Sequence, residues 1–150
     1  MVLSTDSLFS RFINDNLEPW AVFDSEYRIA LANPPFAAQY GMTVKEMIGK
    51  TCYEVLHQRG SKCEVCCLDE AFRGGEPKIW EEARFVNEEN RYFEVHCRPV
   101  KNPEGIASHV VRYSHDITHR KLAEEELGVS EERYRAIVQM AREGIFVLDA

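Results

Sequence analysis

Residues 106–121, Ile106-Ala-Ser-His-Val-Val-Arg-Tyr-Ser-His-Asp-Ile-Thr-His-Arg-Lys121, combine a strand with the start of a helix. Residues 106–113 follow a turn at 101–105 and contain several β-branched and aromatic residues, which predicts a strand. Asp116 and Thr118 come next, and both side chains can accept hydrogen bonds from the free N–H groups of a first helical turn. The stretch therefore predicts a final strand that leads directly into a capped helix.

Four further strands and several short helices precede this stretch. The other predicted strands cover residues 20–23, 27–31, about 78–86 and 91–100, with turns at 24–26 and 87–90. Short helices are predicted at 33–40, 44–48, 52–56 and 68–72. Two early and three late strands with helices between them predict an α+β fold, in which one five-stranded antiparallel sheet carries the short helices on one face.

Helices are also predicted on both flanks of the sheet. Thr5 or Asp6 can cap an N-terminal helix that ends at Pro19. The last part of the chain repeats the first without a gap, so that Phe9 matches Tyr134 and Asp24 matches Asp149. We therefore predict a domain over residues 1–117, an amphipathic linker helix over 118–141, and the first strand of a truncated second domain over 142–150. On this interpretation the chain is a fragment of a longer modular protein.

Five blocks of sequence occur in an order and spacing that are known from one family. They are Asn33-Pro-Pro-Phe36, Met47-Ile-Gly-Lys50, Tyr92-Phe-Glu-Val95, Pro99 with Asn102-Pro-Glu-Gly105, and Asp116-Ile-Thr-His-Arg-Lys121. Together they resemble a PAS domain over about residues 5–121, and residues 130–150 resemble the opening of a second one. The resemblance implies a sensory module of a multidomain signalling protein, in which the junction at Asp116 and Thr118 relays the signal. It also implies a downstream output domain, commonly a histidine kinase, a cyclic-dinucleotide enzyme or a transcriptional regulator.

A cleft between the sheet and the helices is the expected place for a small molecule. The candidate lining residues are Phe36, Tyr40, Tyr53, Leu56 and Phe72 from the helices, with Trp80, Phe93, Val95 and Cys97 from the strands. An aromatic and aliphatic set of this kind is equally typical of a packed core. The ligand, if any, is not identified by these residues.

The predicted linker helix has apolar positions spaced alternately by four and three residues. They are Ala123, Leu127, Ser130, Tyr134, Ile137 and Ala141. This spacing is typical of the seam of a two-stranded coiled coil. It favours a parallel homodimer through this helix and the N-terminal one, and the alternative is an amphipathic helix that packs on its own domain.

Four potential metal ligands form the pattern C-x4-H-x5-C-x2-C: Cys52, His57, Cys63 and Cys66. These residue types bind zinc or an iron–sulfur cluster. Three interpretations remain open, namely reduced structural thiols, a reversible disulfide among Cys52, Cys63 and Cys66, and a bound metal or cluster. A metal or redox sensor is therefore an alternative function, and a dimerisation relay without a ligand is another.

Several function classes find no support in the sequence. The chain lacks a glycine-rich phosphate loop and the common hydrolase motifs, so we expect no enzyme activity. Its net charge of -7 argues against a nucleic-acid partner, and the absence of a long apolar segment argues against a membrane contact of this fragment. We expect a cytoplasmic protein. The resemblance implies that a flavin photosensor would carry a motif of the Asn-Cys-Arg-Phe-Leu type, which this sequence lacks. No single histidine stands out as a haem ligand, so neither flavin nor haem is expected.

Overall fold

The computed structural model of the chain describes residues 4–86 and 88–148. The chain divides into two compact units, one extending to His115 and the other beginning at Asp116. None of the described helices combines the length and the apolar character that a membrane span requires.

The first unit contains a five-stranded antiparallel sheet. Its strands are β1 (Trp20–Asp24), β2 (Ile29–Ala32), β3 (Lys78–Val86), β4 (Glu89–Lys101) and β5 (Ala107–Asp116). Their order across the sheet is β2-β1-β5-β4-β3, so the last strand in sequence lies at the centre. The predicted fold class is confirmed. Asn87, within the predicted turn at 87–90, lies outside the described residues.

The register of the sheet determines which side chains face the helices. Trp20 pairs with Tyr113 across β1 and β5, and Lys78 pairs with Cys97 across β3 and β4. Because side chains alternate along a strand, Val110, Arg112 and Ser114 share one face of β5, and all three are buried. This face and the short helices enclose the core.

Five helices lie among the described residues of the first unit. They are α1 (Thr5–Asp15), α2 (Pro34–Gln39), α3 (Val44–Met47), α4 (Cys52–Leu56) and α5 (Cys67–Gly74). The N-cap of α1 is Ser4, whose side chain accepts a hydrogen bond from Ser7 N–H, and not Thr5 or Asp6 as predicted. Gly75 ends α5 with a φ of 61°, a left-handed conformation that glycine adopts without steric cost.

Asn33 shows how one local cap also joins distant segments. Its Oδ1 accepts hydrogen bonds from Phe36 N–H at 3.1 Å, which caps α2, and from Trp20 N–H at 3.0 Å. Its Nδ2 donates to the carbonyl oxygens of Asn16 and Glu18 at 3.1 and 2.7 Å. The fully buried Asn33 side chain therefore holds the segment before β1 against the start of α2.

The second unit is one long helix, α6 (Thr118–Leu148). It covers the predicted linker helix over 118–141 and continues into the segment for which a strand was predicted over 142–150. That strand is absent as far as Leu148, and Asp149 and Ala150 lie outside the described residues. An extended segment needs a partner strand for its backbone groups, whereas a helix satisfies them within the segment, which favours continuation of the helix here.

Candidate functional site

A cavity of about 400 Å³ lies between α4 and α5 on one side and β3 and β5 on the other. Its volume falls within the range of small-molecule sites in proteins. Its lining residues are Cys52, Leu56, His57, Val65, Cys66, Cys67, Leu68, Glu70, Lys78, Ile79, Trp80, Glu82 and Arg112. The wall therefore combines apolar side chains with thiols and with several charged groups.

Arg112 is the most unusual residue of this wall. It occupies a core-facing position of β5 between Val110 and Ser114, and it is only 3% exposed. Its Nη2 donates to Glu82 Oε1 at 3.2 Å. Among the described residues, its Nε and Nη1 have no hydrogen-bond partner. A buried guanidinium thus retains unused donors beside a cavity, and buried donors are seldom left unpaired.

Glu82 is the carboxylate that faces Arg112, and it serves three donors. It also accepts a hydrogen bond from the indole N–H of Trp80 at 3.0 Å and forms an ion pair with Arg84. Burial opposes its negative charge, but Arg112, the Trp80 hydrogen bond and Arg84 together hold the pKa of the Glu82 carboxyl below its usual value. Glu82 is therefore ionised at neutral pH and shares one negative charge between two guanidinium groups.

Two pairs of cysteine thiols lie beside this charged group. Cys52 donates a hydrogen bond to Cys66, and Cys97 donates one to Cys67. The bond from Cys52 lowers the pKa of Cys66 to about 6, with help from the N–H groups of Asp69 and Leu68 at the start of α5. The same bond, together with burial, raises the pKa of Cys52.

The second thiol pair connects a helix to the sheet. The bond from Cys97 lowers the pKa of the Cys67 thiol, and the positive charge of Arg112 acts in the same direction. Cys97 is fully buried, and all five cysteines are free thiols. The pairs therefore place reduced thiols in contact without a disulfide.

The four predicted metal ligands do not come together. Cys52, His57 and Cys66 line the cavity, whereas Cys63 lies with His57 at a separate surface depression. Burial and the nearby Arg112 lower the pKa of His57, which keeps its imidazole neutral. Within residues 4–86 and 88–148, no group of three or more His, Cys, Asp or Glu side chains could hold a metal ion.

Of the nine predicted pocket residues, Leu56 and Trp80 line the cavity. The other seven are buried or pack against the core: Phe36, Tyr40, Tyr53, Phe72, Phe93, Val95 and Cys97. The ring of Phe36 contacts Phe23 edge-to-face and Tyr40 at a tilt, with centroid distances of 6.5 and 5.3 Å. These rings fill the space beside α2, and the cavity is left beside α5 and β3.

The sequence interpretation missed Glu82, Arg84 and Arg112. The signal was present, because Arg112 is in phase with the apolar Val110, and Trp80, Glu82 and Arg84 alternate along β3 on one face. Charged residues in phase with a buried face indicate a buried polar group.

The start of α6 has the predicted cap at Asp116. Its Oδ1 accepts a hydrogen bond from Thr118 N–H at 2.9 Å. Asp116 is the last residue of β5, and α6 begins at Thr118. A role of Asp116 and Thr118 in signal relay stays a prediction.

Comparison with known structures gives many significant matches of low sequence identity. An RNA-binding light-oxygen-voltage receptor matches with a TM-score of 0.65 at 22% identity, covering 87% of this chain and 38% of that chain. The PAS domain of Bordetella pertussis BvgS matches with a TM-score of 0.57 at 19% identity, covering 86% and 99%. Vibrio cholerae VqmA, solved as a ligand–DNA complex, matches with a TM-score of 0.61 at 14% identity, covering 78% and 53%. The chain thus spans about a third to a half of the receptor and of VqmA.

Among curated protein sequences, none matches this chain significantly. The family model described as the PAS fold matches residues 17–122, which include all five strands and α2 to α5. That match covers well over half of the chain. The chain therefore belongs to the PAS fold family.

Proposed function

We propose that this PAS domain is a sensor that binds a small molecule in the cavity beside α5 and passes the signal along β5 to α6. The observation that carries the proposal is the position of Arg112. Arg112 lines the cavity and has two donors unpaired among the described residues, and it stands on the strand that ends at Asp116, the cap of α6. A ligand that engages Arg112 therefore acts on the strand that precedes the output helix.

The central place of β5 supports this route. Its neighbours in the sheet are β1 and β4, so a shift of β5 affects both halves of the sheet. A ligand changes an equilibrium only by its difference in affinity for the two states, and such coupling typically amounts to about 1–3 kcal/mol. Contacts made through one buried guanidinium are of this order.

The two tryptophans allow a direct test. Trp80 lines the cavity and Trp20 does not, so Trp20→Phe leaves Trp80 as the single indole. A screen of small metabolites by Trp80 fluorescence finds the ligand, and hydrogen exchange of α6 measures the response. We expect a compound that saturates the Trp80 signal to change amide exchange at the start of α6. The matched Trp80→Phe variant, which retains Trp20, should give no fluorescence change.

Two results would overturn the proposal. One is a compound that saturates Trp80 and leaves exchange throughout α6 unchanged, because the cavity would then be uncoupled from the helix. The other is a metabolite screen in which no compound alters Trp80. Native mass spectrometry of the purified protein adds an independent search for a retained ligand.

A redox sensor is a second candidate because the structure pairs Cys52 with Cys66. A peroxide would oxidise the Cys66 thiolate to a sulfenic acid with release of hydroxide, and condensation with the Cys52 thiol would then form the disulfide and release water. Peptide mapping after peroxide treatment tests this. A Cys52–Cys66 cross-link supports it, and over-oxidation without a cross-link contradicts it. The metal-site alternative has no comparable support.

We further propose a homodimer through α1 and α6. Leu127, Tyr134 and Ile137, three positions of the predicted seam, are each more than half exposed in the single chain. Leu8, Phe9 and Phe12 of α1 are likewise exposed. Association of such helices in parallel would bury both apolar surfaces.

The wider context is also a proposal. By analogy with multidomain relatives, the module would act in the cytoplasm upstream of an output domain, such as a histidine kinase of a two-component system, and would not be an enzyme itself. RNA binding and DNA binding are named for the receptor and for VqmA. The net charge of -7 argues that this part of the chain does not contact nucleic acid itself.

A further inference from the structure

We propose that the ligand of the cavity carries an anionic group, with a carboxylate on an aromatic or aliphatic body as the best fit, and that Arg112 binds this group. The inference rests on the proposed function and specifies the chemical class that the sensor recognises.

The guanidinium of Arg112 has only a shared counter-ion. Arg112 and Arg84 both pair with Glu82, so two positive charges share one negative charge. Lys78, also at the wall, already has Glu70 as its partner at 3.5 Å. Because a buried charge is most stable when all its donors are paired, an additional anionic partner would stabilise Arg112.

Two of the unsatisfied buried donors belong to Arg112 itself. Its Nε and Nη1 have no hydrogen-bond partner in the described part of the chain, although the residue is only 3% exposed. A guanidinium offers several N–H donors and no acceptor, so only an acceptor can satisfy them. An anionic oxygen gives the strongest such bond. Arg112 therefore lacks hydrogen-bond acceptors, and an anionic group would supply acceptors and negative charge together.

The rest of the wall selects the body of the ligand. Leu56, Leu68 and the ring of Trp80 give apolar surface, and the Trp80 N–H is already engaged by Glu82. A cavity of about 400 Å³ admits a molecule of moderate size with one charged end. A cationic amine would meet Arg112 and is excluded by repulsion.

Besides the Cys66 thiol, whose pKa is lowered to about 6, Cys67 is an alternative source of negative charge at the cavity wall. Its thiol has its pKa lowered by the bond from Cys97 and by Arg112, so an internal thiolate could neutralise the guanidinium. Cys67→Ser removes that thiolate. If Cys67 were the true counter-ion, this variant would create anion binding that the wild-type protein lacks.

Three acids and their neutral amides serve as probes: hexanoate, benzoate and indole-3-acetate, against hexanamide, benzamide and indole-3-acetamide. Binding to the whole chain is measured by isothermal titration calorimetry and by thermal shift at fixed ionic strength. We expect at least one acid to bind roughly tenfold or more tightly than its amide, because a hydrogen bond to a charged group changes affinity by about this factor.

The variants change the charge balance in opposite directions. Arg112→Gln should weaken binding of that acid roughly ten- to hundredfold, to the level of the amide. Glu82→Gln removes the competing carboxylate and should strengthen it. Arg98→Gln is the matched control, because Arg98 is an exposed arginine that donates to the hydroxyl of Tyr113, and it should leave affinity unchanged. Should Arg112→Gln fail to fold, Glu82→Gln decides alone.

The outcomes separate the two proposals. Amides that bind as tightly as acids, or an acid whose affinity is insensitive to Glu82→Gln and Arg112→Gln, overturn the anionic class and leave a ligand-binding cavity in place. Anion binding that appears only in Cys67→Ser also overturns the anionic class in the wild-type protein. If neither acids nor amides bind, the anionic class fails, and the fluorescence screen of Trp80 decides whether the sensor function fails with it.

Discussion

Removing the side chain of Asn33 tests the structural basis of the first unit. Asn33→Ala deletes the cap of α2 and the acceptor of Trp20 N–H, along with two donors to the segment before β1. Loss of a helix N-cap costs about 1 kcal/mol. An unsatisfied buried N–H at Trp20 costs about 1–3 kcal/mol. The carbonyl groups of Asn16 and Glu18 lie nearer the surface and can bond to water, so they add little.

The expected loss is therefore about 2–4 kcal/mol in the free energy of unfolding, out of about 5–15 kcal/mol for an ordinary domain. Urea denaturation followed by far-ultraviolet circular dichroism measures it. Asn102→Ala is the matched control, because Asn102 also accepts two backbone hydrogen bonds, from Glu104 and Ile106, in an exposed turn. We expect this control to lose less than about 1 kcal/mol.

The comparison of the two variants decides the question. If Asn33→Ala and Asn102→Ala lose equal stability, burial of Asn33 contributes nothing and the reasoning is refuted. Asn33→Asp adds a third measurement, since it keeps the acceptors and replaces the donors with a carboxylate facing two carbonyl oxygens. That environment raises the pKa of the introduced carboxylate, so its destabilisation should grow as the pH rises above about 4 and be relieved on acidification.

Three further predictions concern the thiols and the long helix. The pKa of Cys66 is lowered to about 6, whereas the thiol of the unfolded chain ionises near pH 9, so the free energy of unfolding should rise between these pH values. Cys66→Ser should flatten that rise in denaturation curves and remove the contribution of Cys66 to the thiolate absorbance at 240 nm. Asp116→Ala removes the cap of α6, so we expect about 1 kcal/mol less helix stability and faster amide exchange in its first turn; unchanged exchange would contradict a capping role. Leu127→Asp with Ile137→Asp places charges on the predicted seam and should convert a dimer to a monomer in sedimentation, whereas a wild-type monomer at every accessible concentration would refute the dimer.

Much of the fold follows from local signals in the sequence. Signals between residues close in sequence predict strands β3, β4 and β5, the cap at Asn33 and the start of a helix after Asp116. All of these are present in the structure. The central position of β5 depends on pairing with β1, which lies far away in the chain, and periodicity within one segment carries no information on that partner.

The candidate site was predicted less well, for a physical reason. Aromatic residues were expected to line the cavity, but close packing brings Phe36 and Tyr40 together and closes that space. Whether a side chain lines a void or fills it depends on volumes summed over several elements. The contact between Cys67 and Cys97 likewise depends on how α5 packs against β4, which the spacing of cysteines in the sequence does not encode.

The placement of β5 also has a consequence for biosynthesis. Until residue 116 has left the ribosome, β1 can pair only with β2 and β3 only with β4, and the strand edges that later receive β5 stay open. Insertion of β5 between them completes the sheet in one late step. A ribosome stalled before this point would expose two unpaired strand edges, which can associate with other chains. The segment that completes the domain is also the segment from which α6 continues.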